Sequence, residues 1–320
     1  AAERGGDRVL VLDAQARAEL RGEARLAADV RRAIEGEQLE LVFQPVVELT
    51  DGTVAGFEAL VRWNDPGHGL VDPVRFVGIA ERAGMAGALA EWTVRAVCRH
   101  LLAWRADGVA VQPVSINVWS SQLTVPAFAA RVRALLEEAG VPPELLVFEL
   151  RDTPAIDLPA GAVQTLRALQ EIGCATVLDG FGTGRVSFDR LTELPLHGVK
   201  LDGDLVRRIG GDPLAGTIVS AVVDVARALG LRVSAGGVET PEQFEAVRRH
   251  GCGFAQGFLF SRPVAGDRVP AMLSVPAPLP SALEGETMSL GAAAAALGIS
   301  PTTARRWANE GRLRAVRTAG

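Results

Sequence analysis

Eight short, β-rich apolar runs recur along the middle of this chain, separated in most cases by longer stretches whose apolar residues return at helical spacing, and this rhythm restricts the fold to α/β. The runs are "LELVFQP" (39–45), "TVAGFEALVRW" (53–63), "VQPVSINV" (111–118), "LLVFEL" (145–150), "CATVLD" (174–179), "HGVKLD" (197–202), "LRVSAGG" (231–237) and "CGFAQGF" (252–258). Helix candidates lie between them, among them "LAEWTVRAVCRHLLAWRADG", "PAFAARVRALLEEAG" and "LAGTIVSAVVDVARALG", and glycine closes several. Eight strands with intervening helices predict a TIM-like (β/α)8 barrel. The first two runs depart from the alternation, because "ELTDGTV" supplies an Asp-Gly turn and no helix, so an antiparallel first pair is expected. A doubly wound open sheet is the alternative that the rhythm also permits.

Composition removes several functional classes. With 48% hydrophobic residues in 320, the chain can bury one large core and carry a small appendage. No apolar stretch reaches the roughly 20 uncharged residues of a membrane span, and no basic-then-apolar leader opens the chain, so a cytoplasmic protein without a membrane partner is expected. Cys98, Cys174 and Cys252 are odd in number and far apart, which suggests buried apolar residues rather than disulfides or a zinc site. A net charge of -5 argues against a nucleic-acid surface over the whole chain. The tail differs: residues 286–320 hold five arginines against two glutamates.

Barrels build their sites at the C-terminal ends of the strands, so the polar residues of each run matter. They are Gln44, Glu58 with Arg62, Asn117, Glu149, Asp179, Lys200 with Asp202, Gly236 with Glu239, and Gln256. A polar group in a buried strand is costly unless paired, so a ring of acids, amides and one lysine at one mouth suggests a site rather than packing. Such oxygen-rich sets hold hard cations such as Mg or Mn.

At these positions the chain resembles a known family. "FQPVV", "FEALVRW", "SINVWSSQL", "FELRDT", "VLDGFGTG", "VKLDGDLV", "GGVETPEQ" and "CGFAQGFLFSRP" are similar, in order and spacing, to the motifs of EAL domains, the phosphodiesterases that linearise cyclic di-GMP. The resemblance implies a barrel with an antiparallel first pair, a guanine dinucleotide across its mouth, and two divalent metals activating a water for displacement at phosphorus. It also implies roles. Glu58, Asn117, Glu149 and Asp179 match the ligands of the first metal, Lys200 the lysine near the water, and Glu239 and Gln256 supporting residues. Gln44, Arg62 and Gln256 are the expected ligand contacts, Arg62 having a fork of donors suited to phosphate.

Two positions depart from the motif: Gly180 stands where the family has a second aspartate, and Gly236 where it has the glutamate of "AEGVET". Both absent acids serve the second metal in the family. If that ion supplies some 4 to 6 kcal/mol, its loss slows hydrolysis by roughly three to four orders of magnitude. The resemblance therefore implies a degenerate copy with one Mg or Mn site at most, binding without hydrolysing. A working phosphodiesterase, with Asp202 or a water rescuing the second site, and a protein-interaction scaffold are the alternatives. Arg185, where the family has an aromatic, is a further departure, and a homodimer through loops near the fifth and sixth strands is what the family suggests.

At the C-terminus, the linker "VPAPLPSALEG" precedes "TMSLGAAAAALGISPTTARRWANEGRLRAV", where Ser300 and Pro301 predict the start of a second helix. The pair resembles the helix-turn-helix of MerR-type and excisionase-type regulators, which implies that Thr302, Thr303, Arg305 and Arg306 face DNA while Trp307 is core. A helical hairpin for packing is the other reading. The N-terminal stretch resembles the closing strand and connecting helix after a GGDEF domain, or equally a plain lead-in. The expected boundaries are a lead-in at 1–24, an EAL barrel at 25–268, a linker at 269–286, and at 287–320 a helix-turn-helix that lacks the family's basic wing.

Overall fold

The computed structural model describes residues 14–36, 38–65, 67, 69–125, 127–151, 158, 160–182, 188–209, 211–277, 279, 289–296 and 300–309. The chain divides into two compact units, Ala1–Ala277 and Pro278–Gly320. The strand expected near residues 7–13, Arg185 and the linker's 280–288 lie outside the described residues.

In the larger unit all eight runs form strands, and two short strands join them. They are β1 (Leu39–Glu48), β2 (Val54–Asp65), β3 (Gly69–Val71), β4 (Val114–Trp119), β5 (Leu146–Arg151), β6 (Ala175–Phe181), β7 (Gly198–Leu201), β8 (Arg232–Ala235), β9 (Phe254–Ala255) and β10 (Val264–Ala265). The order β1-β9-β8-β7-β6-β5-β4-β2 closes through the β1–β2 pairing, so the sheet is a barrel and the open doubly wound alternative is excluded. β1 is antiparallel to β2 and to β9, while β2, β4, β5, β6, β7, β8 and β9 run parallel. The Asp51-Gly52 turn makes the antiparallel pair: Gly52 donates to the Glu48 carbonyl and Asp51 accepts from Thr53.

The helices are laid on the barrel by their apolar faces. In Ala86–Ala106 the buried Leu89, Ala90, Thr93, Val94, Val97, Leu101 and Trp104 recur at helical spacing. Trp104 packs edge-on against Phe43 of β1 and donates its indole N–H to the Gly266 carbonyl. Helix starts are capped by side chains, Asp212 ahead of Pro213 and Thr240 ahead of Pro241, and Gly140 closes Phe128–Ala139 in the left-handed conformation. The N-terminal helix Ala14–Glu35 buries Val30 and Ala33 against a cluster holding Trp63, Phe76 and Leu89. All three cysteines are free and buried, and burial pushes their thiols up to about 11 for Cys98 and about 12 for Cys174 and Cys252.

The described residues of the smaller unit hold two short helices, Leu290–Ala296 and Pro301–Asn309, with Ala294 and Ala304 buried. Ser300 is the N-cap of the second, its Oγ accepting from Thr303 N at 3.1 Å. No helix among the described residues is long and apolar enough to cross a membrane.

Candidate functional site

Strand register assembles the site. Gln44 of β1 lies opposite Glu58 of β2, and Asn117 of β4 opposite Glu149 of β5. The parallel β5–β6 register runs through Leu150 and Leu178, so the next residues on the two strands, Arg151 and Asp179, are neighbours. β1 runs against the other strands, so Gln44 reaches the mouth through its pairing with Glu58 and not by ending its strand. Between Leu178 and Phe181 the pairing of β6 with β7 slips by a bulge, and Gly180 sits in it at φ +73°.

Most of these residues line a cavity of about 610 Å3. Gln44, Glu58, Asp179, Lys200, Glu239 and Gln256 are among its lining residues, together with Gly180, Gly236, Asp202, Arg151 and Phe258. Asn117 and Glu149 join it by hydrogen bonds from behind. Arg62 is the exception. It lies off the lining, and its Nη1 donates to the adjacent Val61 carbonyl at 3.0 Å.

Burial of so many polar groups is tolerated because most of them satisfy one another, with Asn117 Oδ1 and Gln256 Oε1 the buried atoms left over. Glu58, Glu149, Lys200 and Gln256 are each 7% exposed or less, where an unpaired charge would cost several kcal/mol. Lys200 Nζ donates to Glu58 Oε2 at 2.7 Å and to Glu149 Oε2 at 2.9 Å. Gln256 Nε2 donates to Glu58 Oε2 at 2.8 Å and to Gln44 Oε1 at 3.0 Å, and Gln44 Nε2 donates to the Ser261 carbonyl. Asn117 Nδ2 reaches Glu58 Oε1 at 2.6 Å. Asp179 is held from two sides, by Arg151 Nε on Oδ2 at 3.0 Å and by Gly180 N on Oδ1 at 2.8 Å.

Charge sharing divides the two central acids. Burial alone would raise Glu58, but the charge and hydrogen bond of Lys200, with help from Asn117, bring it below its ordinary 4.5. Burial raises Glu149, and repulsion from Glu58 and Asp179 adds to it against the pull of Lys200. For Lys200, burial works downward, but Glu149 and Glu58 outweigh it and hold the ammonium charged. Exposed Glu239 sits at the rim, where its backbone N–H donates to Gln243 Oε1 at 2.7 Å.

Arg151 was not singled out by the sequence reading, although a signal was present. It stands two residues after Glu149, and the alternation of a strand puts both on one face. Phe258, 48% exposed with the Arg262 guanidinium 4.4 Å above its ring, is a second unsuspected feature of the mouth.

The EAL domain family model matches residues 27–263. The chain belongs to the EAL domain family. It is 36% identical over 242 residues to the cyclic di-GMP phosphodiesterase NbdA of Pseudomonas aeruginosa, covering 76% of this chain and 31% of NbdA. RocR, a cyclic di-GMP phosphodiesterase of the same organism, is 36% identical over 239 residues, 74% of this chain and 60% of RocR. This chain therefore spans about a third of the first relative's length and less than two thirds of the second's. Among solved structures, the PaMucR phosphodiesterase in complex with c-di-GMP superposes with a TM-score of 0.71 at 33% identity, covering 77% of this chain and 99% of that one.

EAL domains are metal-dependent phosphodiesterases that use Mg or Mn, and the donors here are of the right kind: carboxylates and an amide oxygen. Asn117 Oδ1 is buried without a hydrogen-bond partner, as an oxygen awaiting a cation would be. The arrangement of the acids does not fit. Both oxygens of Glu58 and both of Asp179 already accept from protein donors, and among the described residues no three His, Cys, Asp or Glu converge as a metal group.

In the smaller unit Thr302, Arg305 and Arg306 are exposed, while Thr303 and Trp307 are half-buried. Thr303 is tied to the cap, its Oγ1 sharing a hydrogen bond with Ser300 Oγ at 2.9 Å.

Proposed function

We propose that this chain is a cyclic di-GMP-responsive regulator whose EAL barrel holds the dinucleotide without hydrolysing it and whose C-terminal unit binds DNA. One observation carries the reading: Gly180 and Gly236 both line the cavity, at the positions where the family motif has acids. Hydrolysis of a phosphodiester needs an activated nucleophile and charge stabilisation in line, and neither glycine supplies a carboxylate for them. Binding is favoured by what remains. The glycines in the lining leave room for a ligand, and Phe258 with Arg262 offers a stacking surface for a base.

The same support bears on DNA. Two short helices with a capped second one and an exposed Arg305-Arg306 pair suit a helix that enters the major groove. A working phosphodiesterase is the competing reading, favoured by the activity of NbdA and RocR and by the presence of Glu58, Asn117, Glu149 and Asp179.

The deciding experiment is chromatography of cyclic di-GMP after long incubation with a large amount of protein in excess Mg or Mn, beside an EAL enzyme that has both acids. Intact ligand is the expected result, with isothermal titration then reporting binding. Linear dinucleotide at the control's rate would sink the non-hydrolytic reading.

A further inference from the structure

The three carboxylates Glu58, Glu149 and Asp179 are already met by cations of the protein itself. Lys200 serves Glu58 and Glu149 from inside, at 2.7 and 2.9 Å. Asp179 lies beyond it and is met by Arg151, whose Nε–H points to Oδ2 at 3.0 Å. The other oxygen of Asp179 is taken by the Gly180 N–H at 2.8 Å. The bulge at Gly180 aims that N–H, and register brings Arg151 alongside. Asp179 is 11% exposed, so the pair is largely dry on the acid's side and its attraction is not fully screened. The guanidinium is held charged: burial works downward, and Asp179, Glu58 and Glu149 outweigh it.

We propose that Arg151 is a built-in counter-ion that competes with a divalent cation for Asp179. Metal entry then requires the guanidinium to leave, which weakens metal binding in direct proportion to the strength of the pair. Arg151 is half-exposed on its own side, where water can take the place of the carboxylate, and the proposed competition is a reversible one. The inference rests on Asp179 being a carboxylate that would ligate a cation, as the resemblance to EAL domains implies. It adds that an arginine on the neighbouring strand, and not only the two glycines, keeps metal away.

Mn2+ binding to the full chain, read by electron paramagnetic resonance of the free ion with no nucleotide present, tests it apart from nucleotide binding and hydrolysis. Arg151→Gln is expected to bind Mn2+ about tenfold more tightly than the unmodified chain. Equal affinity of the two proteins overturns the proposal, and so does failure of both to bind at millimolar Mn2+, since Asp179 would then be no cation ligand. A second readout needs no variant and holds even if Arg151→Gln does not fold. The Arg151 Nε–H resonance should exchange faster with water as Mg2+ saturates the unmodified chain. An Nε–H whose exchange is unchanged at saturating Mg2+ overturns the proposal.

Discussion

Lys200 is the residue on which the interior of the site depends, because two buried carboxylates share its charge. Replacing it with methionine keeps the stem's packing but leaves Glu58 and Glu149 without a counter-charge, and breaking a buried pair in this way costs about 3–5 kcal/mol. The pH dependence follows from the directions. Glu58 is held below 4.5, so its stabilisation is complete above that pH and is lost as pH falls toward its folded value. Glu149 is held above 4.5, so its ionisation opposes folding, and protonation at low pH relieves that cost. In Lys200→Met neither acid has a hydrogen-bonded cation, both are raised, and the deficit should be largest near neutral pH and shrink below pH 4.5. Urea denaturation of the two proteins at several pH values measures this. A deficit constant with pH would show that Lys200 matters for packing and not for charge.

At the scale of elements, the bulge in β6 explains why a lone carboxylate stands at the mouth of a glycine-rich loop. Gly180 takes φ +73°, a conformation that costs an L-residue about 1–2 kcal/mol, although aspartate is among the more tolerant. At Gly236 a Cβ would stand 3.2 Å from the Leu201 carbonyl oxygen, so β7 and β8 must part slightly to admit glutamate. The double variant Gly180→Asp with Gly236→Glu is therefore expected to melt several degrees lower than the unmodified chain while gaining hydrolysis. A variant as inactive as its parent would show that the two acids are not what is lacking. The eight barrel strands were legible because each run is apolar, β-rich and bounded by turns. β3 and β10 were not, since these short segments sit in no longer apolar, β-rich run such as the one that holds β9. Gln44, Glu58, Lys200 and Gln256 were legible as costly polar residues in buried runs. The pairing of Arg151 with Asp179 was not, because it depends on the register of β5 with β6, which no single run encodes. Arg62 fell outside the cavity although it shares a face with Glu58, since β2 continues to Asp65 to pair with β3 and carries Arg62 past the mouth. In the smaller unit, Ser300 illustrates the opposite case, a cap read directly from Ser-Pro-Thr-Thr. Ser300→Ala should cost that helix about 1 kcal/mol, seen as faster amide exchange at Thr303.

On the scale of the whole molecule, the proposed nucleotide barrel and DNA-binding unit would form a regulator only if each alters the other's affinity. Binding free energies are reciprocal, so a dinucleotide that changes DNA affinity by a given factor must have its own affinity changed by DNA by the same factor. Couplings of this kind typically run to about 5–150-fold. The first titration uses labelled DNA, with fluorescence anisotropy read at zero and at saturating cyclic di-GMP. The second uses labelled dinucleotide with and without saturating DNA. Equal factors in the two directions are expected, and Arg305→Ala with Arg306→Ala should weaken DNA binding both with and without dinucleotide if those exposed side chains hold the phosphates. The salt dependence supplies a control, because removing two phosphate contacts lowers the slope of log affinity against log salt by about 2. Tight binding of each ligand with a coupling factor of one would leave two independent modules on one chain, and the regulatory reading would fail even though both binding sites exist.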